Sequence, residues 1–297
     1  MKEIFKRHPR YRTAPESFTE LPDDLWVRCD QCRELVYAKE YEDALWVCSK
    51  CKYHAQITAR QRIDITVDPG SFYERDAGIH SSDPLTFRSG SETYANKLRE
   101  WQDKTGTREA FLYGIARLDG KEIVLGVAEF KFSGGSLNGA TGEKIARAFN
   151  LAGERSVPLI LFSSGGGARM QEGTISLLQM AKTVAALDRF KESGQPYLSV
   201  MTDPCVGGIT ASYAMLGDVN IAEPGAYIGF AGRRVIEQTT HQKLPQSAAR
   251  AEFLLEHGMI DLVVARAEMR SVLGRLLEMY AGAGSRAAEK RLVGQGA

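Results

Sequence analysis

Leu159-Ile160-Leu161-Phe162-Ser163-Ser164-Gly165-Gly166-Gly167-Ala168-Arg169-Met170-Gln171-Glu172-Gly173 is an apolar run that empties into consecutive glycines. Tyr197-Leu198-Ser199-Val200-Met201-Thr202-Asp203-Pro204-Cys205-Val206-Gly207-Gly208 does the same further along the chain. Glycine has no Cβ, so such a turn takes unusual dihedrals and lets a ligand approach its N–H groups closely. A strand ending there, with a helix following, aims amide donors at one point where negative charge can be held. The two turns predict a site for an oxyanion or a phosphate. The competing reading, a pair of tight turns or close packing contacts, stays open for glycine pairs taken alone.

Outward from these turns the pattern alternates. Glu109–Arg117 and Lys121–Phe130 read as strands joined by Asp119-Gly120, a hairpin signal. Glu143–Arg155 reads as a helix with Ile145, Phe149 and Ala152 on one face, followed by a buried strand over Val157–Phe162. Thr174–Lys191 is the longest expected helix, with Leu177, Met180, Ala181, Val184 and Leu187 inward. A Tyr197–Met201 strand, a Gly208–Leu216 helix, an Asp218–Ala222 strand and Tyr227–Phe230 follow. A Gln246–His257 helix, an Asp261–Ala265 strand and an Ala267–Tyr280 helix close the pattern. Alternating segments of this kind imply an α/β core.

Upstream, Cys29-Asp30-Gln31-Cys32 and Cys48-Ser49-Lys50-Cys51 form two CxxC pairs separated by 15 residues. That spacing predicts one structural Zn²⁺ held by Cys29, Cys32, Cys48 and Cys51. Leu35-Val36-Tyr37 and Leu45-Trp46-Val47 read as the short strands of a zinc ribbon. Reduced thiols, two disulfides, or His54 replacing one cysteine are the alternatives. The fifth cysteine, Cys205, has no histidine near it in sequence and reads as a small hydrophobe rather than a nucleophile.

With 297 residues, 43% hydrophobic and 25% charged, the chain has ordinary globular composition, and its net charge of +1 asks for no polyanionic partner. Residues 1–24 are polar and basic at their start, through Lys2, Lys6, Arg7, Arg10 and Arg12. Beside a ribbon they offer a nucleic-acid contact, or simply a solvated tail. No stretch approaches the roughly 18 apolar residues of a membrane span, and no secretory signal core is present, which points to a cytoplasmic protein without a membrane partner.

Taken together, the CxxC pairs, Phe130-Lys131-Phe132-Ser133-Gly134-Gly135-Ser136, Gly166–Glu172, Gln179–Thr183, Thr202-Asp203-Pro204, Gly207-Gly208, Ala214–Asp218, Asn220–Pro224 and Gly229–Gly232 resemble the β subunit of bacterial acetyl-CoA carboxylase carboxyltransferase over about residues 24–280. The resemblance implies a crotonase/ClpP-like spiral of ββα units: a ribbon at 25–55, a carboxyltransferase domain at 56–285 and a polar tail at 286–297. It implies CO2 transfer from carboxybiotin, borne on a separate biotin carboxyl carrier protein, to acetyl-CoA, giving malonyl-CoA for fatty acid synthesis. Its partners would be an α subunit, in an α2β2 assembly, and biotin carboxylase. Gly207 and Gly208 would supply the oxyanion hole for the thioester enolate, and the α subunit the hole for biotin. Gly134, Gly135, Gly166, Gly167, Ala168 and Arg169 would shape the coenzyme A cleft, with Arg169 either facing phosphate or bracing its loop. The base would be the decarboxylated biotin. Glu172 is a rival base, or simply an acidic residue at a helix start.

Three segments depart from the family pattern: Asn138-Gly139-Ala140-Thr141-Gly142, Cys205-Val206 and Arg233. They bear on acyl-CoA preference more than on reaction class. A malonyl-thioester decarboxylase or related acyl-CoA carboxyltransferase, and more remotely a zinc-ribbon nucleic-acid-binding regulator, are the competing functions.

Overall fold

The computed structural model describes residues 25–245 and 247–294, so the basic segment at 1–24 and the end of the expected tail lie outside the described residues. In the ribbon, β1 (Trp26–Arg28) pairs antiparallel with β2 (Leu35–Tyr37), and α1 (Ala38–Asp43) follows directly. The expected strand over Leu45–Val47 does not form. Leu45 and Trp46 sit at φ +55° and +56°, and only Val47 bridges, to His54. This turn brings the second CxxC back against the first, around a small core of Val36, Tyr41 and Ala55.

A capping box formed by Thr58 and Gln61 starts α2 (Ala59–Thr66). Short strands β3 (Tyr73–Glu74), β4 (Arg88–Ser89) and β5 (Glu92–Thr93), then α3 (Tyr94–Thr105), make up the connector. The expected hairpin is β6 (Phe111–Leu118) and β7 (Lys121–Ala128), with Asp119 and Gly120 both at positive φ, as a two-residue type I′ turn requires.

The remaining elements are α4 (Gly139–Arg155), β8 (Leu159–Gly165), α5 (Gly173–Lys191), β9 (Tyr197–Val206), β10 (Val219–Ala222), β11 (Ile228–Gly229), α6 (Arg233–Thr240), α7 (Ala251–Glu256), β12 (Leu262–Val263) and α8 (Arg266–Gly294). They build an eight-stranded sheet in the order β12-β10-β9-β8-β7-β6-β3, with β11 on the far half of β9. The strands from β7 to β12 run parallel, while β6 and β3 are antiparallel. This is the expected α/β spiral of ββα units.

Strand alternation sorts the core into two faces. Leu159 and Leu161 of β8 pack with Ile145 and Phe149 of α4 and Leu187 and Phe190 of α5. Ile160 and Phe162 point the other way, toward Ile63 of α2 and Leu273 and Leu277 of α8. No helix among the described residues is long and apolar enough to cross a membrane.

Several elements differ from expectation. Helix α4 begins four residues early because the Asn138 side chain accepts the Thr141 N–H at 2.8 Å, so the unusual segment 138–142 forms a capped first turn. The helix expected over 208–216 reduces to a 3-10 turn at Tyr213–Met215. There the Ser212 hydroxyl takes the Gly208 carbonyl and the Thr210 hydroxyl takes those of Gly207 and Gly229, competing with helical bonding. Helix α5 turns Ser176, Gln179, Thr183, Ala186, Leu187 and Phe190 inward, leaving Leu177 52% and Leu178 61% exposed. Gly142 explains the shifted face: a Cβ there would lie 2.4 Å from Gln179 Oε1, so the two helices meet along the Gln179 row.

Candidate active site

The four cysteine Sγ atoms lie within 4.8 Å of one another, with Cys29–Cys51 at 3.7 Å and Cys32–Cys48 at 3.9 Å, and all are free thiols. A tetrahedron with Zn–S bonds of about 2.3 Å has edges of about 3.8 Å. The donor set therefore fits one structural Zn²⁺. His54 does not take the place of a cysteine: the four thiols cluster without it, its Nδ1 donates to the Lys52 carbonyl at 3.0 Å, and its Nε2 accepts the Arg266 backbone N–H at 3.2 Å.

The two glycine turns meet at the carboxyl ends of β8 and β9. A Cβ on Gly207 would lie 3.0 Å from Gly167 Cα, and both residues have positive φ, +69° and +101°. Only glycine allows this approach. The turns share a cradle: a Cβ on Gly167 would lie 3.5 Å from Gly208 N, and one on Gly208 would lie 3.8 Å from Ala168 N.

The donor assignment differs from the sequence reading. The Gly207 N–H is committed to the Gly229 carbonyl at 3.1 Å, and that of Gly166 to the Gly134 carbonyl at 2.9 Å. Among the described residues, no acceptor takes the N–H groups of Gly167, Ala168 or Gly208. Gly207 thus serves by conformation, while Gly208 and the Gly167-Ala168 pair hold the unspent donors. Gly134 and Gly135 stand behind the cradle, where a Cβ on Gly135 would lie 2.4 Å from the Ser164 carbonyl oxygen.

Arg169 is buried and braces its loop. Its Nη2 lies 2.8 Å from Glu109 Oε1 and 3.0 Å from the Ser136 carbonyl, Nε donates to Ser136 Oγ at 2.9 Å, and Nη1 to Tyr94 Oη at 3.1 Å. Phe132 stacks beneath it at 5.4 Å. With its donors consumed inside the protein, it does not face the cleft. Glu172 is equally engaged. Burial works against its ionisation, but Ser81, the Gly139 N–H, Asn138 and Tyr94 hold its carboxyl below the usual range. It caps α4 and has no capacity left to act as a base. Cys205 is fully buried and desolvation pushes its thiol far up, so it is core rather than nucleophile.

Sequence spacing gave no sign of Glu109 or Tyr94 at the site, and it read Met180 as inward core; Met180 Sδ would be 3.0 Å from a Cβ on Gly208, so it lines the cradle.

The pattern of the carboxyl transferase domain family matches residues 53–268. The acetyl-coenzyme A carboxylase carboxyl transferase subunit beta 2 of Roseiflexus sp. (strain RS-1) is 46% identical over 98% of this chain and 96% of its own. The subunit beta of Chloroflexus aurantiacus (strain ATCC 29366 / DSM 635 / J-10-fl) is also 46% identical, over 99% and 97%. Among solved structures, the Pseudomonas malonate decarboxylase MdcD-MdcE hetero-dimer superposes with a TM-score of 0.58 at 27% identity, covering 81% of this chain and 95% of that one. A transcarboxylase 12S structure gives a TM-score of 0.64 at 22% identity over 80% of this chain and 42% of its own, and shares the fold.

Proposed function

Since this chain belongs to the carboxyl transferase family as a β subunit of acetyl-coenzyme A carboxylase carboxyl transferase, we propose that its share of the reaction is to hold the enolate of an acetyl thioester in the Ala168–Gly208 cradle. Removing a proton from the acetyl methyl group of acetyl-CoA places negative charge on the thioester oxygen. The carbanion carbon then bonds to CO2 released by carboxybiotin, giving malonyl-CoA, and the proton goes to the vacated ureido nitrogen. Preorganised N–H donors suit that charge better than a charged side chain, because they are fixed before it develops. The observation that carries this reading is the set of unspent N–H groups at Gly208, Gly167 and Ala168, brought together from two turns.

Glu172 is fully occupied and Cys205 is buried. That supports a base delivered with the carboxyl donor, on a carrier protein, rather than one supplied by this cradle. A separate α subunit in an α2β2 assembly would complete the site. The apolar residues Met170, beside Arg169, and Leu177 and Leu178, on α5, support this, because all three are exposed in the stretch that follows the first glycine turn. Biotin carboxylase would regenerate the carboxyl donor.

The deciding experiment is malonyl-CoA-dependent carboxylation of a free biotin derivative by this chain alone and with its co-purified partner. Activity confined to the complex supports the split site. Biotin-independent CO2 release by the chain alone overturns it in favour of a decarboxylase.

A further inference from the structure

Arg266 opens α8 at the seam between ribbon and large domain and is 3% exposed. Its Nη1 donates to the Leu45 carbonyl at 2.9 Å and its Nη2 to the Ala55 carbonyl at 2.8 Å. Nε and Nη2 also reach the two carboxylate oxygens of Glu223, at 2.9 and 2.7 Å. Its backbone N–H binds His54 Nε2. Leu45, His54 and Ala55 all belong to the ribbon and linker, so a single residue spans the seam. Arg62 of α2 shares the same carboxylate, at 2.7 Å, but among the described residues it donates no hydrogen bond to the ribbon.

Beside this seam lies a cleft of 920 Å³ with Lys52 and Tyr53 of the ribbon on one wall and Asp203, Arg250 and α6 residues such as Glu237 on the other. It shares β9 with the cradle: Asp203 lies on this strand, which runs into the Gly207-Gly208 turn. Helix α6 begins shortly after Gly229, whose carbonyl holds the Gly207 N–H.

We propose that Arg266 is a positioning residue that fixes the zinc ribbon as one wall of this cleft, and that the cleft takes the part of the thioester remote from the reacting carbon. The proposal rests on the acyl-thioester reading of the cradle. The ribbon has only a small core of its own. Without the Arg266 fork, its hydrogen bonds to the large domain reduce, among the described residues, to the His54 bond to the Arg266 backbone N–H and the Gln56 Nε2 bond to the Asp203 carbonyl at 3.3 Å, so it leaves the seam more often while keeping its metal. Apparent affinity then falls by the fraction of time the wall is absent. Contacts to a remote part of the ligand act alike in ground and transition states, so KM rises while kcat holds.

The test compares Arg266→Met with Arg62→Met in the full chain, assembled with its partner. Arg266→Met should keep one zinc per chain, raise hydrogen exchange across residues 45–56 about tenfold, and raise KM for acetyl-CoA about tenfold with kcat within about twofold. Arg62→Met, which disturbs the same carboxylate, should lower melting temperature without changing ribbon exchange or KM. Should Arg266→Met not fold, Arg266→Lys decides on the same readouts, since lysine keeps the charge beside Glu223 but cannot fork to both carbonyls. Unchanged ribbon exchange, an equal KM shift in Arg62→Met, or a fall in kcat alone overturns the proposal. Because ribbon exchange needs no turnover, it reports on the latch even if the carboxyl-transfer reading fails.

Discussion

Arg169 and Glu109 meet at 2.8 Å with both side chains fully buried, and this pair holds the first glycine turn in place. Breaking a buried pair on one side leaves an uncompensated charge, which costs about 3–5 kcal/mol. Glu109→Gln should therefore lower the denaturant midpoint sharply, and Glu109→Gln with Arg169→Met should recover part of the loss. Chemical denaturation of the three variants checks this. Additive losses would show that the two side chains do not act as a pair.

A side chain on Gly207 meets Gly167 Cα at 3.0 Å and forces the turns apart. Gly207→Val should reduce kcat by about 10²–10³, the value of an oxyanion donor, with partner binding intact. Steady-state kinetics beside size-exclusion of the complex gives the answer. Normal turnover would move the hole elsewhere.

Cys29→Ser with Cys32→Ser removes half of the thiolate set. Metal binding and ribbon folding are coupled, so zinc content should fall to zero and proteolysis should cut between residues 29 and 55 while the large domain stays resistant. Retention of one zinc would contradict the four-cysteine site.

Arg62 and Arg266 overcome the cost of burying Glu223 and hold its carboxyl down to about 2 in the folded chain. A carboxyl depressed on folding stabilises above its unfolded pKa, about 4.3, and loses that contribution as pH falls toward the folded value. Urea midpoints should be level above about pH 5 and decline between about pH 4.3 and 2. The decline should be shallower, by about one proton, in Glu223→Gln. An identical acid slope in both proteins would exclude Glu223 as its source.

Leu178 is 61% exposed on the outer face of α5. Leu178→Glu should leave the stability of the isolated chain within about 0.5 kcal/mol and weaken assembly with the partner. Co-purification yield and thermal melting separate the two effects. Undiminished assembly would place the partner on another face.

The features legible in the sequence are those carried by neighbours along the chain. The CxxC spacing fixes which cysteines converge, Asp119-Gly120 fixes the hairpin, and the apolar runs fix β8 and the start of β9. Each depends on local dihedral preference or short spacing, which is written residue by residue. Contacts between distant segments are not written that way. That Gly229 consumes the Gly207 N–H, that Glu109 takes Arg169 out of the cleft, and that Gly142 rotates the buried face of α5 onto Gln179 all arise when separate elements pack. Arg266 joins residues more than 200 positions earlier to Glu223. The sequence by itself determined the expectation of backbone chemistry, by placing glycines at strand ends. Only the tertiary structure decided which amides remain free to perform it, because a hydrogen-bond donor is available only once every competing acceptor in the fold has been placed.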